Sequence, residues 1–514
     1  MKKVLSCLIL LLAFFSLAAG ELRPLSGGVC LRYDDNQKPE VWRAMMKTFA
    51  AHGGHFSASL NMLDFTDEYF PIVRELAAAG HEIIDHAPNH RMFKFRAADQ
   101  ADFARFRHHP GVAYADEKSR WLYLKYTVDL NRNHPKGRGS FRNGKLYDPV
   151  PAEIFKKIPA NFPRMIYIPS QKKLAAVRNS AEKGLFDVCS FYDNQSAGLP
   201  ELTDAEFIWP RERGMIQPDD QALMLLIEAV QKRCKNIGIA PPAVWVQPAG
   251  WEPIMQTPAM LRTYAKMGYK AADCLENRLA WFYGDPDFAV SRYGTSARAL
   301  SLDIAELPQV KTLIADSVAQ HHVLTIIAHI RTRNMEKYLS DTGKLLAWLK
   351  EHDIPLAGME KWTDHLASAS TPADAEIMPD CRTDRDGNGR ADGFFASPGT
   401  SFTITADGAK LQGKGPGKLE IPSLCGMRKG KNIFRILLKG HPGAPVRFTF
   451  IQRDSLNRVK ATATHGAVFD QNGIMEKTFE IDIQTQTAQL YTGLAFISLK
   501  TPVIVQKISL QAKK

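Results

Sequence analysis

Between Gly27 and about Ala367 the chain alternates short apolar runs with stretches of helical spacing. Gly28–Tyr33 predicts a strand. Glu40–Ala51 carries apolar positions at helical intervals and stops at Gly53-Gly54. His55–Leu60 predicts the next strand, Tyr69–Ala79 a helix with Gly80 as its C-cap, and Glu82–Ile84 a further strand. The rhythm resumes with a helix over Asp219–Arg233, a strand over Ala243–Val246 and a helix over Thr257–Met267 that ends at Gly268. A β-branched strand, His322–Ala328, precedes the helix Asp341–Glu351 and the strand-like Pro355–Gly358. Strands alternating with helices of this size predict parallel βα units and an α/β fold.

Two stretches break the pattern. Arg91 to about Pro163 is rich in aromatic and basic residues and carries turn signals at Pro135, Gly137, Gly139 and Gly144. It is an insertion that either shapes a substrate groove or elaborates the surface. Ala367–Glu376, with small residues and Pro372, has the composition of a linker. Beyond it only short strands are predicted: Ser401–Ala406, Lys418–Ile421, Asn432–Leu438, Pro445–Ile451, Lys460–Thr464, Thr478–Ile483, Ala488–Ser498 and Pro502–Leu510. Regular strands with Gly and Asn turns predict an all-β sandwich.

At 514 residues the chain is too long for one ordinary core, which agrees with two domains. Lys2 and Lys3, the apolar run Val4–Leu17 and Ala18-Ala19-Gly20 form a signal peptide pattern over residues 1–20. The expected organisation is therefore a leader over 1–20 and an α/β domain over 21–366 with its insertion at about 91–163. A linker over 367–376 and a sandwich over 377–514 follow. The apolar run is too short for a comfortable membrane span, and no other stretch of spanning length exists. The expectation is a secreted or periplasmic protein with no membrane span in its mature form. Export permits disulfides. Cys30, Cys189, Cys234, Cys274, Cys381 and Cys425 remain once Cys7 leaves; most are expected as buried thiols, with Cys381–Cys425 as the candidate pair within the sandwich. The net charge of +12 is scattered, and its densest group (Lys136, Arg138, Arg142, Lys145) lacks interleaved aromatics at a recognisable spacing, so no nucleic-acid partner is indicated.

The candidate chemistry lies at predicted strand ends, where parallel βα folds collect functional groups. Asp34-Asp35 closes the first strand, His86-x-x-x-His90 follows Glu82–Ile84, and His329 follows His322–Ala328. An Asp and two His are the three protein ligands of a catalytic zinc site. Two adjacent carboxylates repel one another unless a metal binds one of them. The other is then left as a base, and the metal brings the pKa of its water to about 7.

These motifs resemble those of the polysaccharide deacetylases, the NodB-homology family of carbohydrate esterases. Tyr33-Asp34-Asp35-Asn36 matches the first motif. Gly80–Ile83 and His86–His90 match the second, with Ala87 where the family has a hydroxyl residue. Ile326-Ile327-Ala328-His329 matches the last, and Gly268–Ala272 resembles a recurrent segment. The resemblance covers about residues 27–362. It implies an irregular (β/α) barrel of the deacetylase type. It further implies Asp34 as general base, Asp35, His86 and His90 as ligands of a divalent metal, zinc by expectation, and His329 as general acid. The implied reaction is hydrolysis of an acetamide or acetyl ester on an acetylated glycan. The third motif departs from the family: Val246 stands where an Arg orients the catalytic Asp, and Ala249 where an aromatic is usual, with Trp251 following. Asp273 and Asp303 are both candidates for the acid that supports His329. Trp121, Trp251 and Trp281 are candidates either for stacking on sugar or for the core.

A second metal candidate opens the C-terminal domain. Asp384, Asp386, Asn388 and Asp392 stand around Gly389 at the spacing of the first part of a calcium loop, although Phe395 occupies the twelfth position. The loop is either a structural calcium site or a Gly/Asp turn. The sandwich is similar to the galactose-binding-like modules of secreted glycan enzymes. The sequence thus points to a secreted metal-dependent carbohydrate deacetylase. The alternatives are a glycan-binding protein with a degenerate deacetylase site, or a glycoside hydrolase, which needs a pair of carboxylates flanking the bond.

Overall fold

The computed structural model describes residues 27–87, 94–124, 126–129, 186–190, 206–210, 215–246, 258–274, 278–281, 289–292, 306–320, 323–330, 335–368, 376–377, 379–425, 429–453, 459–484 and 489–513. The leader over 1–20, His90, Ala249, Trp251, Asp303 and most of the linker and the insertion lie outside the described residues.

Six parallel strands organise the first domain. In spatial order they are Val323–Ala328, Gly28–Asp34, Ser57–Leu60, Glu82–Asp85, Val244–Val246 and Ala271–Cys274. The antiparallel hairpin Arg278–Trp281 and Ala289–Arg292 extends the last of them. Among the described residues the sheet does not close, so the observed architecture is a partial (β/α) barrel. The expected helices are present as Pro39–Ala51, Phe70–Ala78, Asp220–Ile237 and Pro258–Lys266. The helix expected to start at Asp341 begins at Met335 instead. Pro355–Gly358 is not a strand: it makes a single parallel bridge, Val29 to Leu356, with Val29 N donating to Pro355 O and Ala357 N to Val29 O.

The two faces of the sheet have different fillings. Val29, Leu31, Tyr33, Leu324, Ile326 and Ala328 pack outward beneath the helices. Cys30, Ile84, Val244, Val246, Ala271 and Val323 line the inner face, which Trp362 seals at the strand N-termini. A Cβ on Gly28 would stand 2.2 Å from the Trp362 ring, so this strand must start with glycine. Strand side chains alternate, so Arg32 and Asp34 share the inner face with Cys30. Of the insertion, residues 94–124 form a three-stranded sheet with the helix Gln100–Phe106. Phe95, Phe103 and Leu122 pack there on Leu225 and Leu226 of the long helix.

The C-terminal domain is the expected sandwich. One sheet has the order Thr400–Thr405, Gly408–Gly413, Val503–Ala512, Gly430–Lys439, Ile474–Ile483. The other has the order Phe395–Ala396, Gly417–Cys425, Gln489–Phe496, Pro445–Arg453, Val459–Val468. Phe434, Leu438, Phe448, Phe450 and Leu494 lie in the core between them. Cys381 is a free, buried thiol whose Sγ donates to Gln506 O, which rules out the expected Cys381–Cys425 pair; Cys30 and Cys234 are buried thiols as well. The two domains touch through the loop that opens the sandwich. Arg390 Nη2 and Gly393 N both donate to Asp316 on the helix Leu307–Ala319, at 2.9 and 2.6 Å. Thr312 Oγ1 donates to Asp386, and Trp348 Nε1 to Arg385 O. No helix among the described residues is long and apolar enough to cross a membrane.

Candidate active site

Three of the expected groups meet at the C-terminal ends of adjacent strands. Tyr33 pairs with Ala328 and Asp34 with Ser59, so the chain leaves the sheet at neighbouring points as Asp35, His329 and Asn61. Leu60 pairs with Asp85, which delivers His86 beside them. Asp35 has φ +72° and Ala87 φ +53°. Left-handed backbone at two non-glycine residues beside the chemical groups is strain of the kind that collects at functional sites. Asn36 and Asn61 stitch two of the loops together, each side chain or backbone bonding the other at 3.1 Å.

Asp35 is the centre of the cluster. Its Oδ1 stands 3.6 Å from His86 Nε2 and its Oδ2 3.9 Å from His329 Nε2. Asn61 Nδ2 donates to Asp35 Oδ1 at 3.3 Å. His86 is buried, whereas Asp35 and His329 are about 40% exposed, which gives the cluster one open side. His329 is thus brought up to the carboxylate expected to hold metal, closer than a purely distant acid. Among the described residues no trio here has its ligand atoms all within 4.8 Å of one another; Asp384, Asp386 and Asp392 do.

Asp34 is treated differently. Arg32 Nε donates to Asp34 Oδ1 at 2.8 Å and Arg32 Nη2 to Oδ2 at 2.9 Å, with both side chains 4% exposed. Burial pushes the Asp34 carboxyl up. The opposing charges of Arg32, His86 and His329 and the Arg32 hydrogen bonds outweigh it and hold the group well below the usual carboxylate range. Sequence reasoning located the orienting arginine at the position of Val246 and found it missing. Val246 is buried apolar core, and Arg32 on the Asp34 strand itself makes the clamp. The signal was available: an Arg inside an apolar strand, two residues before the Asp, has to share its face.

The lead-in to the second motif is structural. Glu82 Oε2 accepts from Met359 N at 2.6 Å and from Ser57 Oγ, and Oε1 from Glu360 N at 2.7 Å, so the carboxylate caps the helix Met359–Ser368. His81 stacks on Phe56, with ring centroids 3.9 Å apart, and accepts from Phe56 N through Nδ1. Burial, with the neighbouring His55, holds its pKa down to about 3, so it is a neutral acceptor. Asp85 points away from the site into the helix layer. It accepts from Tyr269 Oη at 2.7 Å, and burial pushes its pKa up to about 7 against that bond. Asp273 lies in the strand Ala271–Cys274, but its side chain is outside the described residues, as is that of Trp281; Trp121 is half-buried.

In the sandwich loop Asp384 accepts from Asn388 N and Gly389 N at 3.0 and 2.8 Å. Asn388 Nδ2 donates to Asp386, and Arg385 Nη1 to Asp392 at 2.6 Å. The loop is therefore already folded around its carboxylates, with one arginine inside it.

No family model matches the chain, and no curated protein matches it. Solved structures give loose superpositions. A family 4 carbohydrate esterase from Streptomyces lividans in complex with acetate is 9% identical, covers 64% of this chain and 92% of its own, and has a TM-score of 0.29. The CBM22-1 xylan-binding domain from Paenibacillus barcinonensis Xyn10C is 18% identical over 24% of this chain and 88% of its own, with a TM-score of 0.19. For tailspike protein 4 of bacteriophage CBA120 the match spans 23% of this chain and 18% of that one, at 9% identity and a TM-score of 0.18. Superpositions with TM-scores this low say nothing about activity.

Proposed function

We propose that the chain is a metal-dependent hydrolase that removes acetyl groups from a glycan. The observation that carries this reading is the Asp35 carboxylate facing two imidazoles at 3.6 and 3.9 Å, beside a second, arginine-clamped carboxylate. The 3.6 Å between Asp35 and His86 is long for a hydrogen bond but suits two ligands of one ion. Bonds of about 2.0–2.2 Å in a tetrahedral site set ligand atoms roughly 3.3–3.6 Å apart. Asp35 and His86 would hold the metal, with His90 as the third ligand that the motif supplies. When bound, such an ion polarises the acyl oxygen and acidifies water.

The chain's own groups divide the remaining work. Asp34 accepts the proton of the attacking water, and Arg32 fixes its orientation while restraining its basicity. His329, on the open side, gives a proton to the departing amine or alcohol. Asn61 orients Asp35 through its amide. Acetate release from acetylated glycans by the zinc-supplemented protein tests the reading, with the Asp34→Asn variant as control. No acetate across N- and O-acetylated substrates would contradict it.

The Arg32 clamp also favours a second reading, a glycan-binding protein with a degenerate site, because a carboxylate held so firmly ionised is a weak base. Binding without acetate release selects that reading. Export of the chain is a separate proposal, tested by whether the mature protein begins at Glu21. Calcium in the Asp384 loop is another. A rise in melting temperature on adding Ca2+ that Asp384→Ala removes supports it, and no rise contradicts it.

A further inference from the structure

The outward face of the five-stranded sheet carries an aromatic ring, Tyr491, away from the edge where the exposed Phe395 pairs with Glu420 and lies under Arg390. Tyr491 and Gly493 lie two residues apart on the strand Gln489–Phe496 and so share the solvent side. A Cβ built on Gly493 would stand 3.3 Å from Tyr491 Cε1 and 3.2 Å from its Oη. The ring therefore runs along its own strand over the glycine and stays partly exposed. The phenol bonds Glu420 on the neighbouring strand, whose register places Glu420 opposite Gly493, and Arg453 lies within electrostatic reach.

Apart from Ile451 beside it and Phe395 at the sheet edge, the surroundings are small or hydrophilic. The row that contains Glu420 and Gly493 continues through Thr449 to the exposed Thr464. The next row on this face pairs Tyr491 with Ile451 and Ile451 with the exposed Thr462. Lys418 and Arg447 flank Ala495 one row further along. The result is a partly exposed aromatic ring with a carboxylate and guanidinium groups around it and hydroxyls beyond. A pyranose presents an apolar C–H face and a rim of hydroxyls that both donate and accept. An aromatic face with a carboxylate and a guanidinium beside it complements both features.

We propose that this face binds oligosaccharide, with one pyranose stacked on Tyr491, its hydroxyls donating to Glu420 and accepting from Arg453. The choice of glycan rests on the deacetylase reading of the barrel, whereas the surface itself does not. Binding would hold a polymeric substrate on the same chain as the barrel, since the Asp316–Arg390 and Asp316–Gly393 contacts tie the two domains together.

The test is affinity electrophoresis of the full chain in gels containing glycol chitin or acetylated xylan, with melting temperatures recorded alongside. Retardation of the wild-type chain is expected in at least one gel. Tyr491→Ala should bind about tenfold more weakly, Glu420→Gln should weaken binding, and Tyr491→Phe should keep most of it. Asp34→Asn should be retarded like the wild type, so a failed deacetylase reading would leave this result standing. Unretarded wild type in both gels overturns the proposal. So does a folded Tyr491→Ala protein that migrates like the wild type, or a dimer that only Tyr491→Ala dissociates, which would make this face a contact between copies.

Discussion

Glu82 opens one strand of the parallel sheet, and His86 follows its other end. Each end carries a carboxylate and histidines, and the two sets are satisfied in opposite ways. At the N-terminal end Glu82 takes two backbone N–H groups and a serine hydroxyl, while His81 takes a backbone N–H and a ring stack. At the C-terminal end Asp35 faces His86 and His329 across 3.6 and 3.9 Å and stays about 40% exposed. The same residue types serve as fasteners where hydrogen bonds are short and complete. They are available for chemistry where the distances are long and one side is open. Residue type therefore does not mark a site in this chain; the partners do.

Substitutions at the two ends should separate these roles. The largest effect expected is on turnover: Asp34→Asn should lower acetate release per folded molecule by about 10²–10⁴-fold, and it should also lower the melting temperature, because the buried Arg32 loses its carboxylate. Equal activity would remove Asp34 from the chemistry. Arg32→Met should cost about 3–5 kcal/mol of stability, because it leaves Asp34 charged and buried without its partner. Chemical denaturation measures this, and Arg32→Lys should restore part of the stability without the bidentate geometry. At the opposite end, Glu82→Ala should cost about 1–3 kcal/mol by orphaning the N–H groups of Met359 and Glu360, and acetate release per folded molecule should stay unchanged. A loss of turnover there would break the comparison.

The smallest effect is a pH slope from Asp85. Its folded pKa is raised to about 7, above the ordinary value of 3.8, so its contribution to stability is complete below the ordinary value and is lost as pH rises towards 7. The wild type should lose about 1.4 kcal/mol per pH unit between roughly pH 5 and 6 from this group, and Asp85→Asn should remove that component.

Much of this was legible beforehand. The helices ended near Gly53, Gly80 and Gly268 as expected, because glycine relaxes most readily into the left-handed cap and each of these has a positive φ, whereas the long helix ran past the expected Arg233 to Gly238. The sandwich strands were visible by alternation, as in Pro445–Arg453, where Val446, Phe448, Phe450 and Gln452 point inward. Gly408–Gly413 escaped because its residues have weak strand preference and it is held by pairing on both sides. At the site, Asp34, Asp35, His86 and His329 were found from strand ends. Arg32 was passed over inside an apolar run. Glu82's partners at Met359 and Glu360 lie 277 and 278 residues away, beyond any local pattern.

The central claim is that Asp35 and His86, together with His90, hold a catalytic metal. Zinc content of the purified, zinc-supplemented protein measures this directly when compared with that of Asp35→Ala. The account predicts about one ion per chain in the barrel site of the wild type and its loss in the variant at unchanged melting cooperativity. A wild type that holds no zinc, or a variant that retains it, would contradict the claim.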